Sequence, residues 1–268
     1  MVAQLKGFDV QITRLYIYPS YLHGFSFNWE LDPSQPPPAG VQYHVQRGDT
    51  HDGPWHDISP AIADSYYWSG DEERVVHTKE PVLYFRIRAT AGAQEYYSPV
   101  VQPYGDIADK REFLIARNMR RQELIQMQGM GGTACKVLVK AIFGPRCERC
   151  TDFVTGRPAR QDCIGCFGIG IDPGYHGPYD TLARFSAERV EKGFGEGNNY
   201  VTEQVMYRLR MLGTPHIKKD DIIVDTTTGR RYMVNQTAGL VEVRRVPIVR
   251  TVTVSEIPSQ SPYYRIEA

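Results

Sequence analysis

The stretch CERCTDFVTGRPARQDCIGCFGIG, residues 147–170, places two Cys-x-x-Cys pairs close together in a chain with five cysteines. Each pair can present two sulfurs to one side of a metal ion, and the twelve residues between the pairs allow a short hairpin. Gly165, Gly168 and Gly170 suit a backbone that folds round a metal, because glycine adopts positive φ without steric cost. The spacing predicts a structural zinc ion bound by the thiolates of Cys147, Cys150, Cys163 and Cys166.

Four cysteine ligands complete a tetrahedral zinc sphere, which argues against catalysis, because a catalytic zinc keeps one position open for water. His176 lies ten residues beyond Cys166 in a separate turn and is interpreted as a loop histidine rather than a ligand. The fifth cysteine, Cys135, is interpreted as a small buried hydrophobe. Two other states of the four cysteines stay open, a pair of disulfides and an iron–sulfur cluster.

The length and net charge of the chain limit the kinds of protein it can be. Its 268 residues predict two or three domains of ~100–150 residues each. The 31 basic and 31 acidic residues balance, so no overall field attracts nucleic acid or an acidic membrane. No run approaches the ~20 apolar residues that span a bilayer, and the N-terminus lacks the pattern of a signal peptide. We expect a protein kept in the cytosol with no membrane partner, where clustered cysteines bind metal more often than they form disulfides.

Residues 8–102 contain short alternating segments separated by turn residues. The clearest is VLYFRIRAT, residues 82–90, with Leu83, Phe85 and Ile87 on one side. Seven or so strands in ~95 residues favour an antiparallel β-sandwich. A tryptophan in the second strand (FNWEL), YHVQRG in the third, a Gly-Pro-Trp turn and YFRIRA follow one another in order. In this order the segment resembles a fibronectin type III domain, predicted over residues 1–104. The resemblance implies a spacer or adhesion module in which Trp29 is a core residue.

Residues 106–128 contain no Gly or Pro, and their apolar residues recur near helical spacing. Asp106 is the predicted N-cap and Gly129 ends the pattern. We therefore predict a linker helix within residues 105–132. Its many basic residues indicate either a solvated face or a charged contact with a partner subunit or DNA backbone.

Residues 133–268 are predicted to form a small β-barrel or sandwich that carries the cysteine segment as an insertion at about residues 144–180. KVLVKAIF, residues 136–143, is a predicted strand, and DDIIVDTTTGRRYMVNQ, residues 220–236, is typical of a hairpin. The last residues, YYRIEA, are predicted to add a final strand. Together the segments predict a mainly β chain with one linker α-helix.

The sequence contains no P-loop, no Gly-x-Ser-x-Gly elbow and no His-Glu-x-x-His motif, so we expect a protein that is not an enzyme. CIGCFGIG, residues 163–170, is similar to one zinc repeat of the DnaJ chaperone family. That family uses four such repeats, whereas this chain has two pairs and no J-domain motif. The similarity therefore implies zinc-knuckle geometry and no chaperone function.

The hairpin of residues 220–236, the return strand VPIVRTVTVSEI and the final PYYRI together resemble the C-terminal barrel of neck proteins of tailed bacteriophages. The resemblance implies a virion protein, assembled in the host cytoplasm, that forms a ring of six or twelve copies between portal and tail. Its expected partners are identical copies, the portal or adaptor, and the tail-completion proteins. Residues 206–250 carry nine basic and four acidic side chains, which favours docking on acidic neighbours or on passing DNA. The alternatives are a zinc-ribbon DNA-binding or regulatory protein, and a tail or baseplate structural protein.

Overall fold

The described chain forms two compact β-rich units. Residues up to 103 belong to the first unit and residues from 110 onward belong to the second. The computed structural model describes residues 10–19, 25–32, 37–38, 40–63, 65–70, 83–103, 110–152, 155, 158–160, 162–194, 201–213, 215–243 and 246–268.

The first unit contains eight described strands in two antiparallel sheets. The strands are β1 (Ile12–Pro19), β2 (Phe25–Leu31), β3 (Gln42–Gly48), β4 (Trp55–Asp57), β5 (Ile62–Ala63), β6 (Tyr67–Gly70), β7 (Tyr84–Ala91) and β8 (Gln94–Tyr97). One sheet has the order β1–β2–β6, and the other has the order β4–β3–β7–β8 with β5 beside β3.

Aromatic side chains join these two sheets. The Phe85 ring of β7 lies 5.0 Å from the Phe25 ring and 5.1 Å from the Phe27 ring of β2, between centroids. Trp29 packs 5.5 Å from Tyr43 of β3 and is 1% exposed, as predicted for a core tryptophan. Alternate residues of β2 therefore meet side chains of β3 and β7 between the sheets. The resemblance to fibronectin type III stays a prediction.

The second unit is a closed six-stranded barrel with one helix. Its strand order is β10–β11–β14–β13–β12–β9, with every neighbouring pair antiparallel. Its elements are α1 (Lys110–Gly129), β9 (Thr133–Lys140), β10 (Tyr175–Phe194), β11 (Val201–Leu212), β12 (Ile222–Asp225), β13 (Arg231–Val243), β14 (Val246–Glu256) and a short 3-10 helix (Pro262–Arg265).

The predicted final strand YYRIEA is wrong, because Pro262–Arg265 forms a 3-10 turn. A proline at the first turn of a helix has the required φ and needs no N–H partner there. The turn also lets Tyr263 and Ile266 pack on one cluster of barrel side chains. Tertiary packing thus overrides the strand propensity of the two tyrosines.

The strands β9 and β12 are buried on both faces. Val137 and Ile223 are each 0% exposed, and their sequence neighbours Leu138 and Ile222 are at most 1% exposed. Successive strand residues point to opposite faces, so one set faces the barrel interior and the other faces outward. The outward set is covered by side chains from the cysteine insertion and from the 3-10 turn. The continuous apolar run of the sequence reflects this double burial.

The helix α1 packs on the outside of the barrel and belongs to the second unit. Met127 is 5% exposed and contacts Leu182 of β10 and Leu212 of β11. The Glu123 carboxylate lies 2.8 Å from the Arg210 guanidinium. The predicted N-cap Asp106 lies outside the described residues. Among the described residues, no helix is long and apolar enough to cross a membrane.

Candidate metal centre

The cysteine insertion is closed at its base by the strands that flank it. Lys140, the last residue of β9, pairs with Tyr175, the first residue of β10. The Ala141 N–H then donates to the Gly174 carbonyl at 2.8 Å. The insertion therefore spans residues 141–174, a little earlier at both ends than the predicted 144–180.

The four predicted ligands converge at one point of this insertion. The Sγ atoms of Cys147, Cys150, Cys163 and Cys166 all lie within 4.8 Å of one another. Cys147 and Cys163 are 3.7 Å apart at sulfur, and Cys150 and Cys166 are 3.0 Å apart. All four are free cysteines and none is more than 7% exposed. The cluster can hold a metal ion.

The two Cys-x-x-Cys pairs use the same kind of backbone turn. The Thr151 N–H donates to the Cys147 carbonyl at 3.1 Å, and the Phe167 N–H donates to the Cys163 carbonyl at 2.9 Å. The Cys147 N–H donates to the Gly170 carbonyl at 2.9 Å, which joins the first pair to the chain after the second. Local hydrogen bonds thus bring together sulfurs from two separate turns.

The backbone after the second pair is left-handed. Phe167 has φ +51°, Gly168 has φ +83° and Gly170 has φ +84°, which confirms the need for glycine at the last two positions. Gly165 does not have a positive φ, so the prediction of that conformation is wrong at this position. A Cβ there would lie 3.4 Å from an Asp172 carboxylate oxygen and 3.6 Å from Cys147 Sγ, which are ordinary contacts, so space does not require glycine there either.

Backbone N–H donors and burial have opposite effects on the pKa values of the cysteine thiols. The backbone N–H groups of Cys166 and Gly165 lower the pKa of Cys163 to about 6. Burial raises the pKa of Cys147 and of Cys150, because a desolvated thiolate is unfavourable without a nearby cation. Four converging sulfurs with one stabilised thiolate match the soft donor set of a tetrahedral metal such as zinc. Four cysteine sulfurs are enough to supply every ligand of such an ion.

Neither His176 nor Cys135 joins this cluster, although both residue types can bind a metal. His176 lies in β10 opposite Val139, in a strand rather than a loop, and burial lowers its pKa to about 4. Cys135 lies in β9 with 1% exposure, and burial raises its pKa to about 12. Cys135 is therefore a protonated barrel residue, as interpreted from the sequence.

The arginines around the cysteines are exposed. Arg160 is paired with Asp162 at 3.1 Å, which offsets its charge. Arg146 and Arg149 are exposed on the surface of the insertion. Arg157 lies outside the described residues.

Phe167 connects the cysteine cluster to the barrel. It directly follows Cys166 and is 8% exposed in a cluster with Leu138 and Ile222 of the barrel. Its ring centroid lies 6.2 Å from that of Tyr263 in the 3-10 turn. The metal-site turn, the barrel and the 3-10 turn therefore share one apolar cluster.

Arg231 of β13 binds the 3-10 turn through hydrogen bonds. It is 7% exposed, and its guanidinium donates to the carbonyls of Tyr263 and Ile266, the second at 2.6 Å. Its backbone N–H donates to the Tyr264 hydroxyl at 3.2 Å. A buried cation is thus compensated by carbonyl dipoles, without an acidic partner among its hydrogen bonds.

Arg231→Met is expected to lower the free energy of unfolding of the second unit by about 2 kcal/mol, because two buried carbonyls lose charged donors. Urea unfolding measures the loss, and limited proteolysis tests whether the 3-10 turn is released. The matched control is Arg230→Met, since Arg230 is exposed and 3.6 Å from Glu256. Equal losses in the two variants would contradict the assigned role of Arg231.

Asp221 holds the base of the insertion to the turn before β12. It is 1% exposed, and its two oxygens accept the backbone N–H groups of Lys140 at 2.8 Å and Lys218 at 2.7 Å. Burial raises the pKa of Asp221 to about 7 in spite of these two donors. The folded chain therefore keeps a proton that the unfolded chain loses near pH 4.

The stability that Asp221 contributes is expected to fall as pH rises from about 4 to 7, because the folded state binds more protons in this window. The advantage of wild type over Asp221→Asn in unfolding free energy should therefore shrink by about 2 kcal/mol from pH 5 to pH 8. Urea unfolding of both proteins at both pH values measures this difference in free energy. Subtracting the value for Asp221→Asn from that for wild type cancels the contribution of the buried histidines, which both proteins contain. Asp220→Asn, at a 43% exposed side chain, is the control and should show no such change.

The chain matches no known protein-family model and no curated protein sequence. Its relation to fibronectin type III domains and to phage neck proteins therefore stays a prediction from sequence.

Three residues of the site were missed in the sequence. Phe167 stands in a glycine-rich run that draws attention to the backbone, although a large apolar residue after a ligand is itself a signal of anchoring. Arg231 stands in a hairpin and was counted with the basic surface. Asp221 was counted among the four acidic side chains of residues 206–250, and only the fold places it at the base of the insertion.

Proposed function

We propose that this chain is a structural assembly protein of a tailed-phage neck, in which a four-thiolate zinc site fixes an insertion to a β-barrel. The observation that carries the structural role is the convergence of four cysteine sulfurs within 4.8 Å, all four supplied by the protein. A sphere completed by protein thiolates stabilises a fold and leaves no position for a reacting ligand. We propose zinc because four cysteine thiolates are a common donor set for a structural zinc ion.

An open strand edge supports self-assembly. β13 continues to Val243, whereas its pairing with β12 ends at Met233. Within the described strands, the edge from Gln236 to Val243 that faces away from β14 has no strand partner. Leu240 and Val241 on this segment are 41% and 55% exposed. An edge with exposed apolar residues is a surface on which an identical chain can add.

The proposed contact is heterologous, with the β13 edge of one copy meeting a different surface of the next, because the same edge meeting itself would give only a two-fold dimer. Heterologous contacts between identical chains close into rings when their rotation permits. Ring closure is the form of assembly that the resemblance to neck proteins implies. The portal or adaptor and the tail-completion proteins are the proposed neighbours above and below the ring.

Native mass spectrometry and negative-stain imaging of the purified chain test the proposal. We expect a closed ring of six or twelve copies. Leu240→Glu with Val241→Glu should shift the chain to monomer, whereas Ile125→Glu, at a 57% exposed residue of α1, should not. A wild-type chain that stays monomeric at high micromolar concentration would refute self-assembly.

A further inference from the structure

An arginine-lined groove lies on the outer face of the barrel, across β10, β11, β13 and β14. Its volume is about 450 Å³. Arg184, Arg208 and Arg210 line it together with the hydroxyl residues Ser186 and Thr251, and its described lining includes no acidic side chain. We call this surface the arginine groove.

The strand register concentrates these charges. Arg184 lies directly opposite Arg210 in the β10–β11 pair, and Arg208 lies opposite Ser186. Arg208 and Arg210 are two residues apart on one strand and therefore share a face. Like charges directly opposite each other destabilise a sheet, and a bound anion would remove that repulsion.

The protein offsets only part of this charge. Glu123 of α1 pairs with Arg210 at 2.8 Å. Within the described part of the chain, Arg184 makes no hydrogen bond or ion pair, and it is exposed. The arginine groove therefore keeps a positive charge although the whole chain is formally neutral.

Small residues leave the floor of the groove accessible. Ala238 and Gly239 of β13 are exposed and line it. A Cβ added at Gly239 would meet only the Thr251 Cβ, at 3.9 Å, so the protein itself does not require glycine for space there. The β13–β14 register also shifts between Thr237 and Gly239, and such bulges often redirect side chains beside binding surfaces.

We propose that the arginine groove binds the phosphate backbone of double-stranded DNA without regard to sequence. Its described lining has three arginines, two hydroxyl residues and no acidic side chain, and an excess of positive charge is typical of protein–DNA contacts. The centre of a protein–protein interface is usually anchored by large apolar or aromatic side chains, and the described lining contains none. It also contains no aromatic ring on which an unpaired base could stack. Phosphate contacts alone position DNA without reading its sequence.

This inference goes beyond the assembly role and does not require a ring. It assigns the DNA contact to named arginines of the barrel, two of which lie in the basic stretch of residues 206–250 from which the sequence predicted docking on acidic neighbours or on passing DNA. DNA affinity and oligomeric state are therefore measured on the same samples, so that a loss of DNA binding can be distinguished from a loss of ring assembly.

The test measures the affinity for a labelled 30-base-pair duplex by fluorescence anisotropy between 50 and 200 mM salt. Three phosphate contacts predict a slope of about −2.7 for log K against log salt, or about a 40-fold loss over this range. Arg184→Gln with Arg208→Gln should make the slope less steep by about 1.8. The affinity of this variant should then fall only about fourfold between 50 and 200 mM salt. Arg184→Lys with Arg208→Lys should keep most of the slope, because it keeps the charge.

The charge-matched control is Lys219→Gln with Arg230→Gln, two exposed barrel residues that do not line the groove. Its slope should equal that of wild type. Absence of duplex binding at 50 mM salt, or equal changes in control and groove variants, would overturn the proposal. Competition by polyglutamate as strong as by unlabelled DNA at equal charge would also overturn it, in favour of an acidic protein. Unchanged far-ultraviolet circular dichroism confirms that each variant is folded.

Discussion

Replacing Cys163 and Cys166 by serine is expected to abolish metal binding and to lower the free energy of unfolding of the second unit by about 5 kcal/mol or more. Wild-type chain purified without chelator should contain about one zinc per chain by elemental analysis. The double variant should contain less than about a tenth of that. Because structural zinc supplies folding free energy directly, metal loss and destabilisation should occur together.

The size of this effect follows from the composition of the insertion. Among the described residues of the insertion, the four cysteines form a separate buried cluster. Without a cation, four converging sulfurs offer no attraction that would replace the metal. The insertion should then open and withdraw Phe167 from the barrel.

Cys135→Ala is the matched control, since Cys135 is equally buried but lies in β9. This variant should keep one zinc per chain and lose about 1 kcal/mol or less. Iron with visible absorbance, or a loss of free thiols in the purified chain, would support the cluster or disulfide alternatives and contradict zinc. A double variant as stable as wild type would contradict the structural role.

Phe167→Ala is expected to cost about 3 kcal/mol of unfolding free energy, within the usual range for removing a buried phenylalanine ring. The substitution keeps the Cβ and therefore leaves the left-handed backbone cost at φ +51° in place. The loss should come from the cavity between the insertion, Leu138 and Tyr263. Urea unfolding with a tyrosine-sensitive signal measures it.

Ile164→Ala is the control, because Ile164 lies between two ligands of the same turn but is 57% exposed. It should cost less than about 0.5 kcal/mol. Phe167→Ala should still bind one zinc, more weakly than wild type in competition with a chromophoric chelator. If Phe167→Ala changed neither stability nor zinc affinity, the metal site would not be coupled to the barrel.

The sequence predicted the features that depend on local pattern. The Cys-x-x-Cys spacing identified the four cysteines that converge, and alternation placed Leu83, Phe85 and Ile87 on one face, where all three are buried. The hairpin of residues 220–236 became β12, a tight turn and β13. Each of these signals needs only a few neighbouring residues, which is why it can be read without the fold.

Other features depend on contacts between distant segments and could not be predicted. The final residues became a 3-10 turn because their aromatic side chains fill a cluster formed by β9, β12 and the insertion. Arg231 is buried only because that turn supplies carbonyls to it. The arginine groove exists because antiparallel register brings Arg184 opposite Arg210.

Because β12 is buried on both faces, the contacts that cover its outward face can form in a definite order during folding. The cysteine turns involve residues at most about twenty apart, so they can close as soon as that segment is made. The outer layer over β12 also needs Tyr263 and Ile266, about a hundred residues later in the chain. Metal capture can therefore precede closure of the barrel's outer layer, and the outward face of Ile222 and Val224 stays exposed to aggregation until the 3-10 turn is also in place.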